Sequence, residues 1–170
     1  MDEVKNECKE DSTFKVTFVW LLVTIIILQF VRLGIVQGAS MEPTLYSKDI
    51  IFCVTDRIAK IQNGDVVVAY LDDTKDIDAD KIIKRVIGCP GDTIEIKDNK
   101  LFVNGVSLEE DYIEPDSFML DIDLMTLGDD EYFLCGDNRN RSLDSRDPRV
   151  GKVTSKEIHW EVKGVLHLLR

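Results

Sequence analysis

The first strong pattern along the chain is a block with no alternation at all. Val16 to Val31, VTFVWLLVTIIILQFV, carries no charge, has only Thr17, Thr24 and Gln29 as polar side chains, and is bounded by Lys15 and Arg32. It is apolar on every helical face, unlike the one-sided stripe of a helix packed on a soluble core. Extended to Val36 it would span roughly 32 Å as a helix at ~1.5 Å per residue, against a hydrocarbon core about 30 Å thick. The pattern predicts a short tail over 1–15, a transmembrane helix over 16–36 and one outer domain over 37–170. A cleaved secretory signal competes, because Gly38-Ala39 supplies small residues, but a signal core is usually about 7–15 residues and this one is longer. Lys5, Lys9 and Lys15 precede the block, whereas only Arg32 follows it before Lys48. That bias places the N-terminus in the cytoplasm and the outer domain on the far side of a cell membrane.

Beyond residue 36 the pattern switches to short runs rich in β-branched and aromatic residues. Asp49–Val54, Asp65–Tyr70, Lys81–Gly88, Thr93–Lys97, Lys100–Gly105 and Glu131–Gly136 read as strands. Asn63-Gly64-Asp65, Pro90-Gly91-Asp92, Asp98-Asn99 and Asn104-Gly105 are turn signals between them. TIEIKDNKLFVNG reads as a hairpin with a tight Asp98-Asn99 turn. No long 3.6-residue period occurs, so the outer part is expected to be one all-β or β-dominated domain. Two acidic stretches, Asp72–Asp80 and Glu109–Asp130, lack a regular ligand spacing and read as solvated loops rather than metal sites.

Charge narrows the function. With 21 basic and 32 acidic side chains the net charge is −11, the wrong sign for displacing counterions from nucleic-acid phosphates. An apolar content of 44% excludes a disordered chain, and four cysteines are too few for a disulfide-built miniprotein. Cys89 and Cys135 are read as small hydrophobes, and with Cys53 the outer part has three cysteines, so at most one internal pair can form. HExxH, paired CxxC, GxGxxG and P-loop motifs are absent, so neither a metal nor a cofactor is expected. His159 and His167 lie in an apolar-patterned C-terminal segment and are read as surface or capping groups, which leaves a hydrolase here without an obvious histidine base.

Three peptides could carry chemistry. Ser40, in QGASMEPTL, follows Gly38 and Ala39, which leave the backbone uncovered, and precedes Pro43, which fixes it. Such a turn can present a hydroxyl beside bare N–H groups, as an acyl-transfer nucleophile requires; a linker serine in a small-residue turn is the plain alternative. In KIIKRVIG the strand period puts Ile82, Lys84 and Val86 on one face and Ile83, Arg85 and Ile87 on the other. A lysine among such neighbours is either desolvated, with its pKa lowered, or reaches out to the sheet edge. Gly136–Arg146, GDNRNRSLDSR, is either a polar surface loop held by its own turns and ion pairs or a scaffold that orients a neighbouring catalytic group.

Together, SMEPTL (40–45), KRVIGCPGD (84–92) and GDNRNRSLDSR (136–146), with NGDVVVAY (63–70) between the first two, resemble the bacterial type I signal peptidases, in their minimal Gram-positive-like form. The resemblance implies a β-dominated catalytic domain behind one membrane anchor, and a membrane-bound serine endopeptidase that cuts secreted preproteins after small residues in an A-x-A pattern. Ser40 would be the nucleophile, with its own backbone N–H in the oxyanion hole, and Lys84 the general base. Ser142 would hydrogen-bond the lysine, Asp144 and Arg146 would form a supporting ion pair, and Asp137 and Arg139 would brace the same loop. Val36, Leu45, Ile82 and Ile83 flank the pair and are candidate walls for shallow apolar pockets. The partners implied are preproteins and the lipid bilayer. Gly38 stands where some relatives have a serine donor, Cys89 and Cys135 where larger apolar residues are usual, and Trp160 where glycine usually precedes lysine. A catalytically inactive, membrane-tethered β-domain is the alternative.

Overall fold

The computed structural model describes residues 2–57, 60–71 and 80–168, with side chains from Phe14 onward. The chain divides into two units, Met1–Arg32 and Leu33–Arg170. The first is the helix α1, Asp2–Phe30, whose apolar side chains from Phe14 to Leu28 are largely exposed. The expected 16–36 span is corrected here: the helix starts well before residue 16 and stops at Phe30. Val31–Ile35 instead forms a strand, β1, beside β2 (Ile50–Thr55). The β-branched Val31 and Ile35 suit an extended backbone, and Gly34 lets the Ile51 side chain approach to 3.1 Å of where a Cβ would sit. The uncharged helical run, 16–30, is thus only about 22 Å long at ~1.5 Å per residue. Among the described residues, no helix is long and apolar enough to cross a membrane.

The second unit is β throughout. It comprises, after β1 and β2, β3 (Val66–Tyr70), β4 (Lys81–Gly88), β5 (Thr93–Lys97), β6 (Lys100–Val103), β7 (Val106–Ser107), β8 (Ile122–Thr126), β9 (Glu131–Cys135), β10 (Val153–Thr154) and β11 (Ile158–Leu166). All six expected strands are present. Two sheets result, one of seven strands in the order β1-β2-β11-β3-β4-β9-β10 and one of four in the order β7-β6-β5-β8. The β5–β6 hairpin turns at Asp98 and Asn99, and β6–β7 turns at Asn104 and Gly105; all four residues have positive φ, the geometry whose twist matches a two-residue hairpin. β11 is a nine-residue strand that contains Trp160; it pairs with β2 on one side and β3 on the other.

Period-two alternation builds the core. On one face of the large sheet Val67, Ala69, Ile82, Val86, Leu134 and Ile158 pack together, and on the other Ile51, Cys53, Val68, Ile83 and Trp160 pack with Val36, Met41 and Leu45. A third cluster, including Ile87, Ile94, Leu127 and Phe133, joins the end of β4 to the small sheet. The expectation of a solvated loop over 109–130 is also corrected. That stretch contains β8 and Met119, which is buried, and Asp121 accepts a hydrogen bond from the Asp98 N–H at 3.0 Å. The other acidic stretch lies outside the described residues except for Asp80.

Gly88 is where the two sheets meet most tightly: a Cβ there would lie 2.6 Å from Ile94 Cδ1 and 2.8 Å from Leu127 Cδ1. Both neighbours are buried tips, so they must shift within a packed core. Gly88→Ala is expected to lower stability by about 1–3 kcal/mol, read as a lower urea midpoint at unchanged m-value.

Candidate active site

Two loops and one strand converge at Ser40. The nucleophile candidate sits in a turn after β1; Glu42 N–H donates to Ala39 O at 3.3 Å and Leu45 N–H to Met41 O at 2.8 Å, winding the segment tightly. Val36 and Met41 anchor the chain in the core on either side of Ser40, and Leu45 anchors the end of the turn. Gly38, at φ +89°, leaves open space where a side chain would stand. Among the described residues nothing accepts a hydrogen bond from the Ser40 N–H.

Lys84 lies mid-strand in β4 and is only 3% exposed. Its Nζ donates to Ser40 Oγ at 2.8 Å and to Ile83 O at 3.0 Å. Burial lowers its pKa from 10.5 to about 8; Asp144, Cys135 and Asp137 oppose that fall and Arg146 assists it. The lysine is therefore of the desolvated kind, not the kind that reaches out to the edge. About half of it is neutral near pH 8, and a neutral amine can accept the Ser40 proton.

The loop after β9 is a lattice of charge. Arg146 Nε and Nη2 donate to the two oxygens of Asp144 at 2.8 and 2.9 Å, and Gly136 N–H donates to Asp144 Oδ2 at 2.8 Å. Burial would raise the Asp144 carboxyl, but these donors hold it below its ordinary range. Asp137, fully buried, accepts from Arg85 Nε at 2.8 Å and Nη2 at 2.6 Å, and from the Thr44 hydroxyl. The intervening Asn138 N–H donates to Ser40 O at 3.1 Å. Arg139 is clamped by Glu110, Nη1 to Oε2 at 2.8 Å and Nη2 to Oε1 at 2.5 Å.

Placement differs from expectation in two respects. The anticipated Ser142–Lys84 hydrogen bond is absent; Ser142 Oγ is buried with no full hydrogen-bond partner among the described residues, although its hydroxyl helps to hold down the Asp144 carboxyl. Lys84 donates instead to Ser40 and the Ile83 carbonyl, while Ser142 fills the space over Gly136. Of the candidate pocket walls, Val36, Leu45 and Ile83 share one cluster, whereas Ile82 packs on the opposite face. The sequence reading also passed over Thr44, Glu110 and Tyr112 as parts of the site. Thr44 lies inside a quoted motif; Glu110 and Tyr112 carried no signal beyond their acidic surroundings. The His159 ring lies tilted against Tyr70, centroids 4.4 Å apart, and His167 pairs with Asp49 at 2.8 Å, so neither histidine is a partner of Ser40.

This geometry can be set beside known proteins. The family model for signal peptidase, peptidase S26, matches residues 11–166. The chain belongs to that family. It is 34% identical over 145 residues to signal peptidase I S of Bacillus subtilis strain 168, covering 78% of this chain and 75% of the relative. It is 39% identical over 137 residues to signal peptidase I P of Bacillus subtilis subsp. natto, covering 73% and 70%. A crystal structure of a signal peptidase I from Enterococcus faecalis V583 is 32% identical, with a TM-score of 0.48, covering 65% of this chain and 99% of that one. The protein is accordingly a serine peptidase, a hydrolase of peptide bonds.

Gly136 is the tightest point of the peptidase's site. A Cβ there would lie 2.2 Å from Ser142 Oγ and 2.4 Å from the backbone oxygen of Ser40, and a backbone atom cannot step aside cheaply. Gly136→Ala is expected to reduce turnover at least 100-fold by displacing Ser40, with cooperative melting retained.

Lys84 supplies a stability test. A lysine whose folded pKa lies below its unfolded value weakens the fold fully at pH below about 8, where both states carry the proton, and the penalty fades between about 8 and 10.5. At ~1.4 kcal/mol per unit the penalty is about 3 kcal/mol. Lys84→Met is expected to melt higher than the parent at pH 7, with the advantage shrinking as pH climbs toward 10.5.

Proposed function

We propose that Ser40 and Lys84 form the reacting pair with which the peptidase removes signal peptides from secreted preproteins. The single observation that supports this reading best is the 2.8 Å contact between a buried lysine amine and the Ser40 hydroxyl. Neutral Lys84 takes the proton as Ser40 Oγ attacks the scissile carbonyl, then returns it to the leaving amine. The tetrahedral oxygen is stabilised by the Ser40 N–H, whose hydrogen-bonding capacity is free among the described residues. Asp144 and Arg146 neutralise each other beside Lys84, and Asp137, held by Arg85 and Thr44, keeps Asn138 under the Ser40 carbonyl.

Cleavage after small residues, in an A-x-A pattern, follows if alternate side chains of an extended peptide meet the apolar wall of Val36, Leu45 and Ile83. The lipid bilayer is the second partner. The uncharged part of α1, with Trp20, Leu21 and Ile25–Leu28 exposed, is the anchor, with its lysine-bearing end in the cytoplasm and the β-domain outside. In water such a surface would be costly, whereas in lipid the backbone is satisfied within the helix.

Purified protein in detergent is expected to cleave a preprotein at its signal junction. Ser40→Ala and Lys84→Met should each reduce cleavage at least 1,000-fold, on the scale of losing a nucleophile or its base. Activity should fall on acidification with a midpoint near pH 8, as Lys84 takes up a proton. Near-parental cleavage by Lys84→Met would overturn the pairing of Ser40 with Lys84, whereas a parent that fails to cleave would leave the inactive β-domain as the better account.

A further inference from the structure

We propose that Glu110 and Tyr112 are positioning residues for the Ser40–Lys84 pair, closing a ring of buried charge that fixes the loop beneath Ser40. The inference rests on reading those two residues as the reacting groups. Both lie in the stretch between β7 and β8 that the charge pattern assigned to solvent, yet the Glu110 side chain is only 6% exposed and that of Arg139 is 0%.

The ring can be followed atom by atom. Arg85, directly after Lys84, grips Asp137 with two nitrogens. Asp137 precedes Asn138, whose N–H holds the Ser40 carbonyl. Arg139 comes next and is gripped bidentately by Glu110. The Tyr112 hydroxyl donates to Glu110 Oε1 at 2.6 Å, and its ring lies 4.1 Å from the Arg85 guanidinium carbon, so the circuit returns to its start. Two guanidinium groups face two carboxylates, and one of those carboxylates comes from outside the three motif peptides.

Removing Glu110's charge leaves Arg139 with Gly136 O and Met119 Sδ as its remaining acceptors. A buried guanidinium without a carboxylate must find another. Asp137 sits two residues away and already serves Arg85 and Thr44. Competition for it loosens Arg85, beside Lys84, and Thr44, four residues beyond Ser40, at the same time. Tyr112 is suited to its place: burial and Glu110 hold its hydroxyl protonated far above the ordinary tyrosine range, so it remains a donor. The ring touches the reacting residues at two places, Arg85 next to Lys84 and Asn138 under the Ser40 carbonyl, so its purpose is alignment and not general stability alone.

The test uses the full chain in detergent with a preprotein substrate, measuring kcat and KM separately alongside a thermal melt. Glu110→Gln keeps the shape and removes the charge; kcat should fall at least tenfold with KM within twofold and a cooperative melt. Arg139→Gln should show a similar loss, and the double variant should be no slower than the slower single variant, because both act through one contact. Tyr112→Phe keeps the ring over Arg85 and loses the donation, and should lower kcat about threefold. Parental kcat in a folded Glu110→Gln protein, or additive losses in the double variant, would overturn the proposal. Should Glu110→Gln fail to fold, parental kcat in Tyr112→Phe overturns it instead. Ser40→Ala runs in the same assay: its inactivity beside a fully active Glu110→Gln sinks the positioning role alone, whereas its activity sinks the reacting pair and this proposal with it.

Discussion

The site depends on one amine being kept out of water without being given a negative charge to lean on. Burial alone would drive Lys84 toward neutrality, but a free carboxylate at contact distance would restore its proton. Asp144 and Asp137 are both near enough to raise its pKa. Each is occupied, Asp144 by Arg146 and Asp137 by Arg85 and Thr44. The arginines therefore matter less as glue than as counter-charges that offset two acids beside the lysine. Surface ion pairs contribute little to stability; here burial makes the pairing necessary, because an unmatched partner would carry its full desolvation cost.

A second constraint is space. Gly136 lies one step beyond the Arg85–Cys135 pairing of β4 with β9, so its bare backbone runs past Lys84. Ser142 and the Ser40 carbonyl fill the volume that any side chain would take. Packing and electrostatics are thus set by the same short loop: its glycine admits the Ser40 backbone, and its acids and arginines set the potential around Lys84.

Much of this was legible in the chain. Short β-branched runs bounded by Asn-Gly, Pro-Gly and Asp-Asn gave every strand that touches Lys84, because local turn chemistry and period-two alternation act over a few residues. The motif peptides named Ser40, Lys84, Asp137, Asp144 and Arg146 in advance. The helix end was misplaced because Val31–Ile35 continues an apolar run while its backbone is claimed by β2, a partner nineteen or so residues away. Glu110 and Tyr112 were invisible for a related reason. An acid paired with a distant arginine looks, in sequence, the same as an acid paired with water. The two faces of β4 were readable from alternation, but not which of them would carry Ile82 away from Val36 and Leu45.

The order of strands in the large sheet bears on what joins its two halves. β11, last in the sequence, lies between β2 and β3, so the half carrying the Ser40 turn and the half carrying Lys84 are stitched together by residues 158–166. Without β11, β2 and β3 would each present an unpaired edge, and the Ser40 turn would be joined to Lys84's strand only through side chains and loops.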